Sequence, residues 1–217
     1  MLHFTTVDLK RTTVKTLLVP VCEDQSLHSD PVVNGLVAAA MKLEAFRGKK
    51  EQELVLHRPP NVPVEQVLFC GLGKADQLDP EALRRAAGKG AKRCIRMGAP
   101  RLGVAVPDEG PAGLDPAAAL AALMEGVVLG NHLFDRYKKE KENKPLARAD
   151  FIVPADRARR SAGLPARIEA ACRGTLLARE WVNTPSNEKT PEQFARLITA
   201  AAKKSGLSAR VFTESEL

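Results

Sequence analysis

The sequence predicts an α/β protein, and three of its properties indicate that class. Hydrophobic residues make up 44% of the 217 residues and charged residues 27%, as in a soluble globular protein with a full core. Aromatic residues contribute only 4%, so Leu, Val and Ala must build most of that core. Short runs of Val and Leu lie between longer stretches of helical periodicity, as strands and helices do when they share one sheet.

Short apolar runs predict six strands. Each run is rich in aliphatic or β-branched residues and is bounded by polar or turn-forming residues. A strand at the end of the chain needs neighbouring strands, so we expect a second domain to begin there. The runs occupy residues 13–21 (TVKTLLVPV), 53–57 (ELVLH), 66–70 (QVLFC), 101–106 (RLGVAV), 151–153 (FIV) and 207–212 (LSARVF).

Four of the five predicted helices begin at a capping residue followed by proline, the residue that suits the first helical turn. The fifth, residues 166–182, contains no proline and ends at the turn-forming residues 183–187. In the last helix Gln193 and Thr190 form a predicted capping box, and an apolar stripe of Phe194, Leu197, Ile198 and Ala201 is expected to be buried. The four starts are Asp30-Pro31, Asp79-Pro80, Asp115-Pro116 and Thr190-Pro191.

Composition and spacing exclude several classes of protein. No apolar run approaches the roughly 20 residues of a membrane span, and residues 1–10 lack the pattern of a secretion signal. The four cysteines are scattered, which favours a reducing cytoplasm without a disulfide framework or zinc knuckle. The four histidines have no metal-ligand spacing and are expected in surface or capping roles, so we predict no catalytic and no metal-binding residue.

Gly71, Gly73 and Lys74 form a candidate anion-binding loop after the strand at residues 66–70. Their backbone amides could receive a phosphate, although the loop lacks the Gly-Lys-Ser/Thr end of a P-loop. The alternative is a tight turn between strand and helix. Cys70 lies beside the loop at the carboxyl end of a strand, where α/β proteins often bind ligands, and the alternative for it is a small buried residue.

A basic patch carries much of the net charge of +7. Seven Lys or Arg and no acidic residue occur between Arg84 and Arg101. Five of them are spaced to share one helix face and could follow the phosphates of a nucleic acid, whereas a solvated charged face is the alternative. These candidate DNA-binding residues are Arg85, Lys89, Lys92, Arg93 and Arg96.

Three stretches together resemble one known family. They are residues 66–87 (QVLFCGLGKADQLDPEALRRAA), 125–138 (EGVVLGNHLFDRYK) and 179–191 (REWVNTPSNEKTP). Their order and separation are similar to the N-terminal half of cytosolic leucine aminopeptidases, two-metal peptidases that assemble as hexamers. The resemblance extends from about residue 13 to residue 217, and its most specific part is the Asn-Thr-Pro-x-Asn turn followed by a Thr-Pro helix start.

The resemblance implies a fold and a domain organisation. The fold is a three-layer α/β/α sandwich on a mixed sheet, similar in topology to macro domains. It implies a macro-like domain over residues 1–160, a linker helix and turn over 161–187, and the start of a catalytic domain over 188–217.

The family's metal-ligand signatures of Lys, Asp and Glu do not occur in this sequence. The resemblance therefore implies that two divalent cations, Mn or Zn, bind elsewhere in the parent protein, and that this chain lacks the catalytic residues. The implied partners are the catalytic domain of the same protein and the other subunits of a homohexamer. Two alternatives remain: a macro-like module that binds ADP-ribose or a related nucleotide after Cys70, and a DNA-binding accessory domain that uses the helix at residues 80–97.

Overall fold

The structure, a computed structural model, describes residues 1–108, 114–140 and 143–216. The chain divides into two compact units, Met1–Gly174 and Thr175–Leu217. The first unit contains the sheet and most of the buried residues. The second unit contains the end of one helix, a further helix and the segment after it, and we describe it separately below.

Within the described residues the first unit contains one six-stranded mixed sheet, which confirms the predicted α/β class. The strand order is β1-β6-β5-β2-β4-β3, and only β3 runs antiparallel to its neighbour. Five predicted strands in this unit are confirmed, four of them with shifted ends. The strands are β1 (Leu2–Thr5), β2 (Thr16–Cys22), β3 (Glu53–His57), β4 (Gln66–Gly73), β5 (Arg101–Ala105) and β6 (Arg148–Ile152).

The edge strand β1, which pairs with β6, was not predicted from the sequence. Four residues that alternate between apolar and polar give too short a pattern to stand out. The strand is held at its outer edge by a side chain, because the Leu2 N–H donates to Glu169 Oε1 at 2.8 Å. A carboxylate from a distant helix therefore supplies the acceptor that a further strand would otherwise provide.

All five predicted helices form, and their capping residues explain where they begin. Asp30 Oδ1, for example, accepts hydrogen bonds from the Val32 and Val33 amides at 2.7 and 3.1 Å. The short helix α4 was not predicted. The helices are α1 (Pro31–Met41), α2 (Pro80–Arg96), α3 (Pro116–Gly130), α4 (Ala155–Arg160), α5 (Leu164–Asn183) and α6 (Pro191–Lys204).

Helices cover both faces of the sheet. On one face Leu17 and Val19 of β2 join Phe69 of β4 in a cluster with Val33 and Leu36 of α1. On the other face α2 lies close to the sheet, since a methyl group added to Gly90 would stand 3.0 Å from a Leu18 methyl. Alternate residues of β2 thus enter different halves of the core, which explains why its whole run is apolar and buried.

The helices α2 and α3 cross at glycines. A Cβ added to Gly126 would lie 2.1 Å from the Arg84 carbonyl oxygen, and one added to Gly130 would lie 2.5 Å from the Gly88 carbonyl oxygen. The backbones therefore approach more closely than any side chain permits. Arg84 then reaches across the crossing to Glu125, with Nη2 at 2.7 Å from Oε2.

The second unit corrects two predictions. Residues 207–212 form no strand, and α6 buries none of its residues. The capping box at Thr190 and Gln193 is confirmed, and α6 begins directly after Thr190 as predicted. The predicted buried stripe is wrong for this chain: Trp181 packs against Phe194, but no residue of α6 is buried and Ile198 is 40% exposed.

Among the described residues, no helix combines the length and the apolar character that a bilayer span requires.

Candidate functional site

The candidate site is a cleft at the carboxyl ends of the parallel strands. The connections that follow the parallel neighbours β2 and β5 go to opposite sides of the sheet. After β2 the chain continues to β3 and β4 on one side, and after β5 it continues to β6 on the other. Such a reversal of strand order opens a crevice in which α/β proteins bind ligands. Here the cleft has a volume of about 410 Å³ and is lined by residues 6–9, residues 28–31 and Asp108, among others.

Acidic side chains dominate the polar lining of the cleft. Asp108 Oδ2 accepts hydrogen bonds from the Ser29 amide at 2.8 Å and the Ser29 hydroxyl at 2.5 Å. Asp30 caps α1, and Asp8 Oδ1 accepts from the Lys10 amide at 2.9 Å. These carboxylates already satisfy the backbone donors of their loops, and their charge would repel a phosphate.

A buried arginine fixes the segment that follows β5. Arg157 is 9% exposed, and its Nη1 and Nη2 donate to the carbonyl oxygens of Pro107 and Pro116 at 2.6 and 2.9 Å. Its guanidinium thereby ties the beginning of α3 to the end of the neighbouring strand segment. Burial lowers the pKa of Arg157, as expected for a cation taken out of water.

His28 fills the gap between the two diverging strands. Pro20 has no N–H, and the described pairing of β2 with β5 is limited to Leu17 and Leu18 with Gly103 and Val104. The His28 Nε2 lies 2.9 Å from the Pro20 carbonyl oxygen, and because a carbonyl only accepts, Nε2 carries the proton. His28 is 7% exposed, so the expectation of a surface or capping role is wrong for this residue.

The buried imidazole gives a pH-dependent stability that can be measured. Burial lowers the pKa of His28 below that of an exposed histidine, although hydrogen bonds to the backbone of Pro20 and Val106 act in the opposite direction. The unfolded chain therefore takes up a proton first as the pH falls. The stabilisation is present above the unfolded pKa of about 6.5 and is lost as the pH falls below it.

We expect the free energy of unfolding to fall between about pH 7.5 and about pH 5.5, and His28→Gln to reduce that fall. Glutamine keeps an N–H for the Pro20 carbonyl but cannot take up the proton. Urea unfolding followed by circular dichroism at the two pH values measures the difference. An unchanged pH dependence in the variant would show that other groups cause it.

The glycine amides of the predicted anion loop already donate hydrogen bonds to backbone carbonyls of the chain. The Gly71 N–H donates to the Gln52 carbonyl at 2.8 Å, and the Gly73 N–H donates to the Gly48 carbonyl at 3.0 Å. A Cβ at Gly71 would lie 2.1 Å from the Lys49 carbonyl oxygen, and Gly73 has a φ of +84°. These contacts favour the tight turn over a phosphate loop, and they leave only Lys74 of the three residues to face an anion.

Cys70 is a buried core residue. It is 2% exposed, and burial is the main cause that raises the pKa of its thiol to about 12. Its Sγ lies 3.9 Å from the Ala86 carbonyl oxygen on α2. A thiol that stays protonated is a poor nucleophile or metal ligand, so the structure favours the packing interpretation.

The basic face of α2 is partly neutralised. Arg85 pairs with Glu81 at 3.0 Å, Lys89 pairs with Glu53 at 3.4 Å, and the Nε of Arg93 is buried. Lys92 and Arg96 are exposed. The helix therefore presents fewer unpaired charges than its sequence suggests, which reduces the electrostatic case for DNA binding.

Among the residues that the structure describes, no group of three His, Cys, Asp or Glu side chains could hold a metal ion. The cleft residues Asp8, Ser29 and Asp108 were not predicted from the sequence. They come from three loops, and Ser29 and Asp108 are 79 positions apart. Only the strand order brings them together. Had the strand order been known, the tendency of α/β proteins to bind ligands where that order reverses would have indicated this cleft.

Comparison with known proteins identifies the family. A profile described as "Cytosol aminopeptidase family, N-terminal domain" matches residues 18–141, more than half of the chain. The chain belongs to the cytosol aminopeptidase family. This confirms the resemblance to leucine aminopeptidases, and the matched residues include β3, β4, β5 and the α2–α3 crossing.

The relatives are much longer than this chain. A probable cytosol aminopeptidase from Thermosynechococcus vestitus is 33% identical over 187 residues, which cover 86% of this chain and 37% of the relative. The chain thus spans less than two fifths of that aminopeptidase.

Two solved structures share the fold. A tomato leucine aminopeptidase mutant has a TM-score of 0.75 at 23% identity, covering 94% of this chain and 42% of that one. The bottromycin maturation enzyme BotP in complex with Mn has a TM-score of 0.67 at 24% identity, covering 89% of this chain and 37% of that one. At these identities the similarity concerns the fold alone.

Proposed function

We propose that this chain serves as the N-terminal, non-catalytic domain of a metal-dependent leucyl aminopeptidase that removes N-terminal residues from peptides in the cytoplasm. In that protein it positions the catalytic domain and supports assembly of a homohexamer. The family match carries the proposal. The apolar surface of the second unit supports it, because that surface requires a covering partner.

The second unit is held together locally but leaves much apolar surface exposed. Trp181 packs edge-on against Phe194 with ring centroids 5.4 Å apart, and Lys189 Nζ donates to the Trp181 carbonyl at 2.6 Å. These contacts fix the turn between α5 and α6. The exposed large apolar side chains are Leu177 at 39%, Val182 at 76%, Ile198 at 40%, Leu207 at 67%, Val211 at 48% and Phe212 at 54%.

We assign these side chains to an interface with the remainder of a catalytic domain of the same protein. Residues 1–160 would then form the macro-like domain, 161–187 the linker helix and turn, and 188–217 the first part of the catalytic domain. The division between Gly174 and Thr175 falls within the proposed linker. An amphipathic helix with no buried residue is the expected state of an element whose packing partner lies in the remainder of the same domain.

The chemistry of the proposed reaction belongs to that catalytic domain. Two divalent cations, Mn or Zn, would polarise the peptide carbonyl and activate water there. The BotP structure in complex with Mn supports the choice of metal. In this proposal the residues of this chain have a mechanical part: they hold the domain junction and shape the assembly.

A chimera tests the proposal. In it, this chain replaces the matching 37% of the Thermosynechococcus vestitus relative. With Mn²⁺ added, we expect the chimera to hydrolyse a leucyl chromogenic substrate and the 217-residue chain alone to give none. Ile198→Asp, which puts a charge into the proposed interface, should lower the chimera's activity at least about tenfold.

Thr199→Asp is the matched control, because residue 199 lies away from the apolar stripe and is exposed. It adds the same charge to the same helix and should leave the activity of the chimera nearly unchanged. Equal activity of the two variants would contradict the assignment of α6 to an interface. Hydrolysis by the 217-residue chain that survives repurification would contradict the non-catalytic role.

A further inference from the structure

The outer edge of β3 carries an unpaired row of backbone groups. β3 is the last strand of the sheet and pairs with β4 on one side only. The Gly71 N–H donates to the Gln52 carbonyl, and the Arg58 N–H donates to the Glu65 carbonyl. Because hydrogen-bonded pairs alternate in an antiparallel ladder, the backbone groups of residues 54 and 56 bond to β4. The backbone N–H and C=O groups of Glu53, Val55 and His57 therefore point away from β4.

This edge lacks most of the devices that usually protect an edge strand, and its one carboxylate, that of Glu53, lies 3.4 Å from Lys89 Nζ of α2. It contains no proline, lysine, glycine or bulge, and Leu54, Val55 and Leu56 are each only half-buried. The other edge of the sheet differs, since the β1 amide of Leu2 is covered by the Glu169 carboxylate. An exposed strand of this kind is a template for a further strand.

We propose that β3 pairs edge to edge with β3 of a second copy of this chain, in an antiparallel two-fold arrangement centred on Val55. The two sheets then form one continuous sheet across the dimer. Each of the three outward residues meets a partner and exchanges two hydrogen bonds, about six in total.

The sequence of the strand, ELVLH, selects this register. With Val55 opposite Val55 of the second copy, Glu53 lies opposite His57 and Leu54 lies opposite Leu56. The imidazole donates an N–H to the carboxylate, and the leucines occupy the non-hydrogen-bonded pairs in which side chains approach most closely. A register centred on Glu53 would instead oppose two carboxylates, which is unfavourable.

The chain bends away at both ends of β3, which limits the pairing to this strand. Glu51 and Arg58 have φ values of +66° and +49°, so neither continues an extended strand. The two-fold contact uses the edge of each copy once and therefore closes at a dimer. The interface is small, so we expect a dissociation constant of about 10–100 µM.

Sedimentation velocity of the 217-residue chain over a range of concentrations tests the pairing. The wild-type chain should show a reversible monomer–dimer equilibrium. His57→Glu places like charges opposite each other twice in the dimer and should weaken it about tenfold. The exchange Glu53→His with His57→Glu restores both pairs and should return the dissociation constant to within about threefold of the wild type.

Val55→Pro gives an independent test. Proline removes an N–H that points away from β4, so circular dichroism should show a folded chain, whereas the dimer should be lost. Ile198→Asp is the control for association through α6 and should leave the dimer intact. A wild-type chain that is monomeric throughout, or a dimer that survives Val55→Pro and His57→Glu, overturns the proposal. This inference does not depend on the aminopeptidase role, since it needs no catalytic domain.

Discussion

Gly126→Ala is expected to destabilise the first unit by about 3 kcal/mol, although alanine is the better helix former by about 1 kcal/mol. The added methyl group would lie 2.1 Å from the Arg84 carbonyl oxygen and 2.9 Å from the Ala87 Cβ. The first contact is with backbone, which no change of rotamer can relieve. The two helices must separate, and the apolar residues packed around the crossing lose contacts when they do.

Gly35→Ala in α1 is the matched control. Gly35 is exposed, and a Cβ there would meet nothing within 4 Å. The same substitution should therefore stabilise the protein by up to about 1 kcal/mol. Urea unfolding followed by far-ultraviolet circular dichroism measures both variants. A cost below about 1 kcal/mol for Gly126→Ala would mean that α2 and α3 can move apart without losing their packing.

Local signals in the sequence predicted most of the elements. Asp79 before Pro80 gives the start of α2 because a carboxylate and a proline satisfy a helix terminus by themselves. The buried run of β2 is equally local, since a strand covered on both faces is apolar at every position. Such features depend on neighbours within one turn of helix or one strand, so they can be predicted without knowledge of the fold.

Features that depend on distant contacts could not be predicted from the sequence. The apolar stripe of α6 was correctly recognised as a stripe, yet its burial depends on a partner that periodicity cannot supply. His28 has no sequence pattern that marks it as buried, because its place is set by the divergence of β2 from β5. The sequence left two alternatives for the amides of Gly71 and Gly73, an anion loop or a tight turn, and only the structure shows that they donate to the Gln52 and Gly48 carbonyls.

The buried carboxylate of Asp150 should respond to mutation in an asymmetric way. Asp150 is 1% exposed on β6, and it accepts from Arg101 Nη2 at 2.9 Å and from Arg148 Nε at 2.7 Å. The side chains of the two arginines are 39% and 42% exposed. The anion therefore depends on its partners for solvation, whereas the cations keep contact with water.

The double variant Arg101→Met with Arg148→Met is accordingly expected to cost about 3–5 kcal/mol, because it leaves an uncompensated charge inside the protein. Asp150→Asn should cost only about 1–2 kcal/mol, since the amide oxygen can still accept one bond and the arginines remain solvated. Adding Asp150→Leu to the double variant should recover most of the lost free energy of unfolding, because three apolar side chains leave no buried charge to desolvate. Urea unfolding at neutral pH ranks the three variants, and a double variant no less stable than Asp150→Asn would show that water reaches the carboxylate.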